Sequence, residues 1–477
     1  MTRKNWGPKP KLMRWAYIGI VRPMLCYGAM IWGHRAPELL EKFRRINRMA
    51  MNTFANFPKS TPTTALEIML DVMPLHLFCV KEALAARVRL HEVLEFGWHG
   101  GSHTKNHACS HMKFLEDKLA EFQIRPGESD VCSQLKWNTG FKINWDSFNG
   151  EAKHRQPSQY KVFTDGSKLE GRTGAGLVVY KNKKEIATKA VNMTEGTTVF
   201  QAEVLAISEA ALIMGQLHTD EMKYVKFMID SQAAIAALGN PHVTSKVVAQ
   251  AIDNLNALAS MVRSVTLVWI PAHKGHVGNE RADDLAKAGS KVADNVFKIG
   301  TPMATVKMKI RENVYALWQT EWSQSKIANH ASSFYGGPSS SKARFVYKLA
   351  RLELGRFVRI ISGDNNLNFF QTKIGLHNNA DCRFCGEGNE TITHLILSCP
   401  RFQVQQRDIF MDKPPTADMT WSVRGLLNFS YVPGINDAYE GNWTMGDTQE
   451  EEDMGLDLTL CLDRFEDDPG DVNNNDM

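Results

Sequence analysis

The alternation of apolar and polar positions is most regular between residues 160 and 290. At residues 160–164 the period is two residues, which predicts a strand with one buried face. Asp165 follows directly, and the turn-forming pair Gly166 and Ser167 ends the strand. A carboxylate at the end of a strand points into a crevice, so Asp165 is a candidate functional residue.

The next elements are two more strands and a helix. Strand-like runs at residues 175–180 and 185–191 are separated by a polar turn, which predicts an antiparallel meander. From residue 199 to residue 210 apolar side chains recur at helical spacing, and Glu203 lies within that apolar stripe. A carboxylate on the apolar side of a helix needs a partner. Glu209 is the alternative acid on this helix, although it falls off the stripe.

A second strand-to-helix junction repeats the first arrangement. The β-like run at residues 225–229 precedes Asp230, and a helix rich in alanine follows at once. A helix predicted at residues 278–288 then carries Asp283 in its first turns, with Asp284 beside it. Adjacent helical residues point about 100° apart, so only one acid of this pair can face a given site.

Together these elements predict a cluster of carboxylates. Converging acids repel one another, and burying them unpaired costs several kcal/mol, so the cluster indicates bound divalent cations. Ligation by oxygen alone favours Mg²⁺ or Mn²⁺ over zinc. Two such ions about 4 Å apart can activate a water and stabilise the leaving oxygen of a phosphodiester. His273 lies in the preceding loop and titrates near neutral pH, so it can transfer a proton near the leaving group.

The motifs FTDGS, QAEVLAI, MIDSQAA and PAHKGHVGNERADDLA, in this order, resemble the type 1 ribonuclease H family in the form carried by retrotransposon polyproteins. The resemblance implies an α/β fold, with a five-stranded mixed sheet and flanking helices. It also implies hydrolysis of the RNA strand of an RNA–DNA hybrid, leaving a 3′-hydroxyl and a 5′-phosphate. By the same resemblance His273 is the proton-transfer residue, and the two Mg²⁺ or Mn²⁺ ions are held by Asp165, Glu203, Asp230 and Asp283.

Residues beside these acids are candidates for contacts with nucleic acid: Gly166, Ser167, Gln201, Ser231 and Gln232. The glycine and serine after Asp165 would let the hybrid backbone approach, and the pair after Asp230 offers side-chain hydrogen bonds. Cellular relatives have two asparagines that read ribose hydroxyls where this chain has Val199 and Phe200. Discrimination of RNA by its 2′-hydroxyl is therefore expected to rest on backbone groups, Gln201 or Gln232.

A second metal motif lies near the carboxyl end of the chain. Its ligands are spaced C-x2-C-x8-H-x4-C, at Cys382, Cys385, His394 and Cys399. Three thiolates and one imidazole form a closed tetrahedral set typical of structural zinc. The alternative is that these are reduced cysteines packed in a core. The motif also resembles the one found downstream of ribonuclease H in the same retrotransposon polyproteins.

Charge indicates a polyanionic partner. The formal net charge is +4, but residues 1–446 carry 55 basic and 40 acidic side chains, a net +15. Helices at residues 306–322 and 342–361 are predicted after the α/β segment, and the second is rich in cations. Its basic residues, like those in the amino-terminal helices, either follow a nucleic-acid backbone or simply provide a solvated surface.

The amino-terminal segment resembles the region after the palm in reverse transcriptases of non-LTR retrotransposons of the Jockey and R1 kind. No paired-aspartate palm motif is present in the chain, so no polymerase activity is expected. Residues 15–32 are apolar, but Arg22 and Pro23 lie in the middle, which favours a buried helix over a membrane span. Neither a membrane nor a stable protein partner is expected.

The patterns predict five regions: a helical remnant at 1–97, a linker at 98–158, a ribonuclease H domain at 159–292, a helical region with the zinc motif at 300–402, and a tail at 403–477 that is acidic and disordered from about 447. Scattered cysteines indicate a reducing, intracellular compartment, nuclear or cytoplasmic. The interpretation is a truncated retrotransposon polyprotein with ribonuclease H activity. The alternatives are a nucleic-acid-binding module with an inactive site and a non-functional remnant.

Overall fold

The computed structural model describes residues 6–32, 37–55, 57–94, 105–145, 159–272, 274–291, 296–325, 329–363, 365–410 and 423–435. The chain begins with helices, continues into an α/β unit and ends with helices. The helices before the α/β unit are α1 (Pro10–Ala16), α2 (Arg22–Leu25), α3 (Ala29–Trp32), α4 (Pro37–Asn52), α5 (Thr63–Met69), α6 (Leu75–Leu94) and α7 (Lys105–Glu121). A π-helical turn, Tyr17–Val21, joins α1 to α2.

The elements of the α/β unit are β1 (Gln134–Leu135), β2 (Lys142–Asn144), β3 (Tyr160–Leu169), β4 (Arg172–Lys181), β5 (Lys184–Met193), α8 (Val199–Gln216), β6 (Tyr224–Ile229), α9 (Gln232–Leu238), β7 (His242–Val243), α10 (Lys246–Met261), β8 (Ser264–Trp269), α11 (Val277–Lys291) and β9 (Val296–Phe297). The helices that follow are α12 (Met303–Gln324), α13 (Asn329–Ser332), α14 (Ser340–Val346), α15 (Arg351–Ser362), α16 (Asn368–Lys373), α17 (Ile392–Leu397), α18 (Gln403–Phe410) and α19 (Val423–Ser430).

The expected α/β fold with a mixed sheet is confirmed. The sheet has the order β2-β8-β6-β3-β4-β5-β9, in which β3, β4 and β5 form the antiparallel meander. Strands β6 and β8 add in parallel to β3, which completes the five-stranded arrangement expected from the sequence. The short strands β2 and β9 extend it to seven by pairing in parallel with β8 and β5.

Helices cover both faces of the sheet. Helices α8 and α10 bury one face, where Val162, Phe227 and Leu267 are fully buried. Helix α11 lies on the other face, over β3, β4 and β5. Its backbone approaches β4 so closely that a Cβ added at Gly176 would lie 2.2 Å from the carbonyl oxygen of Ala282. Glycine is therefore required on β4 for packing, and this close packing places the acidic helix beside the strand ends.

The segment before β3 belongs structurally to the α/β unit. Asp130 is buried and accepts hydrogen bonds from Gln201 Nε2 at 3.1 Å, Ser245 Oγ at 2.7 Å and the backbone N–H of Val247 at 3.0 Å. Further along, β1 pairs with β7 and β2 pairs with β8. The linker expected at residues 98–158 is therefore wrong for residues 129–144, and α7 also packs, through Leu115 and Leu119, in the core of the helical regions. Buried residues are few between positions 129 and 144, so the hydrophobic periodicity there is too weak to predict helices or strands.

The helices before and after the α/β unit share one hydrophobic core. Tyr347, from the carboxyl-terminal helices, packs its ring 6.3 Å from that of Phe54 and donates its hydroxyl to the carbonyl of Leu70 at 2.7 Å. Arg351 donates to the carbonyls of Thr53 at 2.8 Å and Pro8 at 2.6 Å. The regions 1–97 and 300–402, separated in the sequence analysis, are thus packed together.

Two expectations about the carboxyl-terminal helices need correction. The single helix expected at residues 342–361 is interrupted between α14 and α15, because Ala350 takes an extended conformation and its backbone N–H is capped by Glu353. The tail expected from residue 403 is also folded at its start, since Leu426 and Phe429 of α19 are buried in the shared core. The acidic stretch from about 447 lies outside the described residues.

The apolar segment at residues 15–32 is buried on one face only. Tyr17 and Cys26 are buried in the shared core, whereas Met24 and Tyr27 are exposed by 72% and 87%. The expected burial is therefore confirmed for one face of this segment and wrong for the other. Among the described helices, α8 alone is long and apolar enough to span a membrane, and 67% of it is buried inside the protein.

Candidate active site

The sheet topology brings together acids that are far apart in sequence. Asp165 lies on β3 opposite Gly176, and Asp230 follows directly after β6, the parallel neighbour of β3. Glu203 is held in the first turns of α8, and Asp283 lies in α11 on the other side of the strand ends. The parallel pairing of β3 with β6 ends at Thr164 and Ile229, so Asp165 and Asp230 follow side by side. Strand β3 itself continues to Leu169, so the strand end expected at Gly166 and Ser167 is wrong.

The approach of α8 to β3 depends on Gly166. A Cβ at this position would lie 2.7 Å from the backbone nitrogen of Glu203 and 2.9 Å from the carbonyl oxygen of Val199. The helix begins at a capping box, in which Thr198 Oγ1 accepts from the backbone N–H of Gln201 and the Gln201 side chain accepts from that of Thr198. The glycine thus lets the helix reach the strand, a role distinct from the expected approach of a hybrid backbone.

Three carboxylates meet closely enough to share a cation. Oxygen atoms of Asp165, Glu203 and Asp230 lie within 4.8 Å of one another. Glu203 Oε2 is buried and has no hydrogen-bond partner among the described residues. Asp283 lines the same cleft, while its Oδ2 accepts from Lys287 Nζ at 2.6 Å. All four predicted acids therefore face one place.

Burial and neighbouring negative charges raise the pKa values of two of these acids, Asp165 and Glu203. Burial, the charge of Asp230 and the charge of Asp283 raise the pKa of Asp165 to about 7. Burial and the charges of Asp165 and Asp230 raise the pKa of Glu203 to about 9. Carboxyl groups with pKa values this high indicate a site whose anionic form needs an added positive charge.

The alternative helix acid is engaged elsewhere. Glu209 is buried, and its Oε2 pairs with Lys189 Nζ of β5 at 2.5 Å. Asp284 is exposed on the outer side of α11, whereas Asp283 faces the cleft. Glu209 is as buried as Glu203, so the apolar stripe does not separate these two acids; the ion pair with Lys189 does. The 100° rotation does separate Asp283 from Asp284.

A cleft of about 210 Å³ opens at the acid cluster, lined on one side by the loop before α11 and the first turns of that helix. The sequence analysis did not single out Asn279, which donates from Nδ2 to Asp230 Oδ2 at 2.9 Å. Its Oδ1 is buried and has no hydrogen-bond partner among the described residues. The available signal was its position four residues before Asp283, which places both side chains on one face of α11. His276 and Lys274 line the same cleft, and His273 lies outside the described residues.

The predicted contacts with nucleic acid have mixed outcomes. Gln201 is 1% exposed and donates from Nε2 to Asp130 and to the carbonyl of Gly300, so it is not available to a substrate and that prediction is wrong. Ser231 caps α9 by accepting from the backbone N–H of Ala234 at 3.3 Å. Gln232 is exposed and Ser167 is half-buried, so both stay predictions.

Several basic side chains of the helical regions are used inside the protein. Arg48 donates to the carbonyls of Thr61 and Pro58, and Arg87 pairs with Glu116 at 2.8 Å. Arg356 donates to the carbonyl of Ser430 at 3.1 Å and stacks on Tyr431. These contacts, and the burial of Arg351, favour structural roles over a nucleic-acid interface for the basic residues involved.

The carboxyl-terminal cysteines and histidine form a second cluster. Its four ligand atoms lie within 4.8 Å of one another, with Cys382 Sγ 3.9 Å from Cys399 Sγ and Cys385 Sγ 3.3 Å from His394 Nε2. Tetrahedral zinc with bonds of about 2.3 Å separates its sulfur ligands by about 3.8 Å. Ser398 Oγ lies 3.1 Å from His394 Nδ1, the arrangement of an outer partner that orients a ligating imidazole. The donor set and its spacing fit zinc.

The acid cluster fits a different kind of ion. Its donors are all carboxylate oxygens, and one of them, Glu203 Oε2, is buried without a partner among the described residues. Hard divalent cations such as Mg²⁺ and Mn²⁺ take ligands of this kind. A mixed sheet with flanking helices and carboxylates at its strand ends defines the class as an RNase H-like fold.

Comparison with known proteins agrees with this class. The RNase H family model matches residues 157–291. The chain is 32% identical over 130 residues to Ribonuclease H of Cupriavidus pinatubonensis, covering 26% of this chain and 87% of that protein. It is 27% identical over 145 residues to Ribonuclease H of Orientia tsutsugamushi, covering 29% and 86%. The chain belongs to the ribonuclease H family through this segment.

A solved structure is also similar over the same part of the chain. RNase H1 from the halophilic archaeon Halobacterium salinarum NRC-1 is 19% identical, with a TM-score of 0.23. The match covers 27% of this chain and 96% of that one. The assignment to the family rests on the sequence relatives and on the family model.

Proposed function

We propose that this protein hydrolyses the RNA strand of RNA–DNA hybrids at the acid cluster, with two Mg²⁺ ions held by Asp165, Glu203, Asp230 and Asp283. The observation that carries the proposal is the meeting of three carboxylates within 4.8 Å, one of which has a buried oxygen without a partner among the described residues. Membership in the ribonuclease H family supports the same substrate. When bound, the two cations would activate a water and neutralise the leaving 3′ oxygen.

The side chains around the acids orient them. Asn279 donates to Asp230 Oδ2, which leaves the other oxygen of that carboxylate free to act as a ligand. Trp269 Nε1 donates to the backbone carbonyl of Asp230 at 3.1 Å and fixes the end of β6. On α11, Lys287 Nζ orients the Asp283 side chain by pairing with its Oδ2. Such outer contacts fix ligand geometry before the ions and the substrate arrive.

Proton transfer to the leaving group is assigned to His273, on the resemblance of its motif and its position in the loop before α11. The proposal requires the loop to bring its imidazole to the cleft that Lys274 and His276 line. An imidazole is suited to the step because its ordinary pKa lies near the working pH. Ser167 and Gln232 are the side chains proposed to contact the hybrid next to the acids.

We further propose that the Cys382, Cys385, His394 and Cys399 cluster holds one structural zinc ion. Its closed set of four protein ligands leaves no position for a substrate, so its role is to fix the fold around α17. The motif order also supports an origin in a retrotransposon polyprotein. The alternative of a non-functional remnant with uncovered amino-terminal helices is disfavoured by the shared core, in which carboxyl-terminal helices cover the amino-terminal ones.

Substrate selectivity tests the proposed activity. The full chain is incubated with Mg²⁺ and one end-labelled strand presented as an RNA–DNA hybrid, as duplex RNA or as duplex DNA. The expected result is cleavage of RNA in the hybrid alone, with 3′-hydroxyl and 5′-phosphate ends. Soluble, folded protein that cuts none of them in Mg²⁺ or Mn²⁺ would contradict the proposal and favour a nucleic-acid-binding module with an idle site.

A further inference from the structure

A row of three lysines crosses the face of the sheet that also carries the catalytic acids. The strand register places Lys161 of β3 directly opposite Lys226 of β6. Lys226 and Lys142 of β2 both lie opposite Thr266 of β8, one from each side. We call Lys142, Lys161 and Lys226 the lysine row. Alternate residues of a strand share a face, so the row lies on the face opposite α8 and α10.

The row and the acids are joined along the strands. On β3 the residues facing this side are Lys161, Phe163 and then Asp165, and on β6 they include Lys226 and Met228, with Asp230 next in the same alternation. A spacing of four residues separates Lys161 from Asp165 and Lys226 from Asp230, roughly 13 Å at about 3.3 Å per residue. The lysine row therefore extends the same face on which the proposed chemistry takes place.

The lysines are placed in a way that costs stability when no anion is present. Like charges directly opposite one another on neighbouring strands are destabilising. Burial and the charge of Lys161 lower the pKa of Lys226. Lys161 and Lys142 are exposed, and within the described ranges none of the three lysines makes an ion pair with a carboxylate. Some other cations of the α/β unit are paired, as Lys136 is with Asp253 and Lys189 with Glu209.

Helix α11 leaves this part of the face open. It packs against β3, β4 and β5, where Arg281 pairs with Glu185 at 3.5 Å. Strands β6, β8 and β2 lie beyond that helix; within the described part of the chain Lys142 and Lys161 are exposed and Lys226 is half-buried. An open face with unpaired, neighbouring cations is suited to a ligand that carries regularly spaced negative charge.

We propose that the lysine row binds the sugar–phosphate backbone of the hybrid about four base pairs from the cleaved bond. The distance follows from the 13 Å separation and the rise of about 3.4 Å per base pair. The inference rests on the proposed function, because the acids define where the hybrid is cut. The row adds affinity and orientation to substrate binding and takes no part in the chemistry.

The test uses a variant in which all three lysines of the row become glutamine, K142Q, K161Q and K226Q. The matched control neutralises three exposed lysines of the helical regions, K11Q, K42Q and K307Q, so that the net charge changes equally. Hybrid binding is measured without divalent ions over a range of salt concentrations. Each lost phosphate contact lowers the slope of log Kd against log salt by about 0.9. The row variant is expected to lose about 2 to 3 units of slope.

Hybrid length provides the second readout. One short block of ribonucleotides in a DNA strand fixes the cleavage site. The duplex is kept at about twelve base pairs on one side of that site and shortened to about three on the other, and each side is shortened in turn. With the long duplex, the row variant is expected to show a raised KM and an unchanged kcat. With the duplex shortened on the side that reaches the row, wild type and row variant should have the same KM.

The outcomes separate this inference from the proposed function. If wild type cleaves the hybrid but the row variant has the salt slope and KM of the control variant, the lysine row does not contact the substrate. If wild type cleaves nothing, the proposed function fails, and the slope still shows whether the row binds duplex. Thermal unfolding of each variant checks folding, and removing the repulsion between Lys161 and Lys226 should leave the Tm unchanged or slightly higher.

Discussion

Replacing Asp165 with asparagine should stabilise the metal-free protein at pH 8 while abolishing cleavage. Asp165 is 9% exposed, and its pKa is raised from 3.8 to about 7. A carboxyl group with a raised pKa in the folded state favours folding only while it is protonated. The wild type therefore loses stability as the pH rises from about 4 to about 7, and the loss is complete above that range.

The magnitude follows from the pKa shift. At about 1.36 kcal/mol per pKa unit, ionising Asp165 costs the folded state at most about 4 kcal/mol at pH 8 and about 2 kcal/mol at pH 5. Asparagine keeps the shape of the side chain and removes the charge, so Asp165→Asn should recover most of this free energy. In a unit of this size that corresponds to a gain of roughly 5 to 15 °C in Tm at pH 8.

The assay is thermal unfolding in EDTA at pH 5 and pH 8, with Asp284→Asn as the control. Asp284 is an exposed acid next to Asp283, so its neutralisation should change the Tm little at either pH. Adding Mg²⁺ should then raise the Tm of the wild type more than that of Asp165→Asn, because the variant lacks a ligand. An Asp165→Asn gain that is absent, or equal at the two pH values, would show that burial and the neighbouring charges do not raise the pKa of Asp165.

Three further predictions concern other parts of the chain. Stoichiometric zinc should remain bound after dialysis and be lost in the double variant Cys382→Ser and Cys399→Ser; metal analysis that finds none in the wild type would rule the site out. Burial raises the pKa of Glu67 to about 8, so the stability of the wild type should fall as the pH rises from about 4.5 to about 8. The gain in Tm from Glu67→Gln should therefore grow over that range, and a gain that does not depend on pH would contradict the prediction. A fragment beginning at Gln159 lacks Asp130 and β2, so it should unfold at a lower temperature than a fragment beginning at Arg125. Equal Tm values would show that residues 125–158 add no stability.

The sequence contained enough to locate the acids because each one interrupts a regular pattern. Asp165 follows an alternating run of residues, and Glu203 replaces an apolar residue in a helical stripe, so both deviate from a local rule for a functional reason. The parallel pairing of β3 with β6, which brings Asp230 beside Asp165, follows from the order of strands and helices. Local periodicity and motif order together were sufficient for this part of the fold.

Contacts between distant segments left no local signal. Gln201 looked like a polar residue free to read a substrate, because its partners Asp130 and Gly300 lie far away in sequence. The shared core of the amino- and carboxyl-terminal helices was invisible for the same reason. Each region shows only its own apolar stripe, and nothing in a stripe identifies the element that covers it.

The cleft residues were missed for a different reason. Asn279 is an ordinary polar residue in the first turns of a helix, and its importance comes from the direction of its amide toward Asp230. The lysine row likewise depends on strand register, since Lys142, Lys161 and Lys226 are separated along the chain and become neighbours only in the sheet. A sequence pattern predicts which face of a strand is exposed, but register decides which side chains lie opposite one another.

Cleavage of an end-labelled RNA–DNA hybrid in Mg²⁺ by the wild type, Asp230→Asn and Asp284→Asn tests the account most directly. The wild type and Asp284→Asn should cut the RNA strand at similar rates, and Asp230→Asn should lose the activity by at least about a hundredfold while remaining folded. Equal cleavage by Asp230→Asn and the wild type would contradict the assignment of the acid cluster as the catalytic centre.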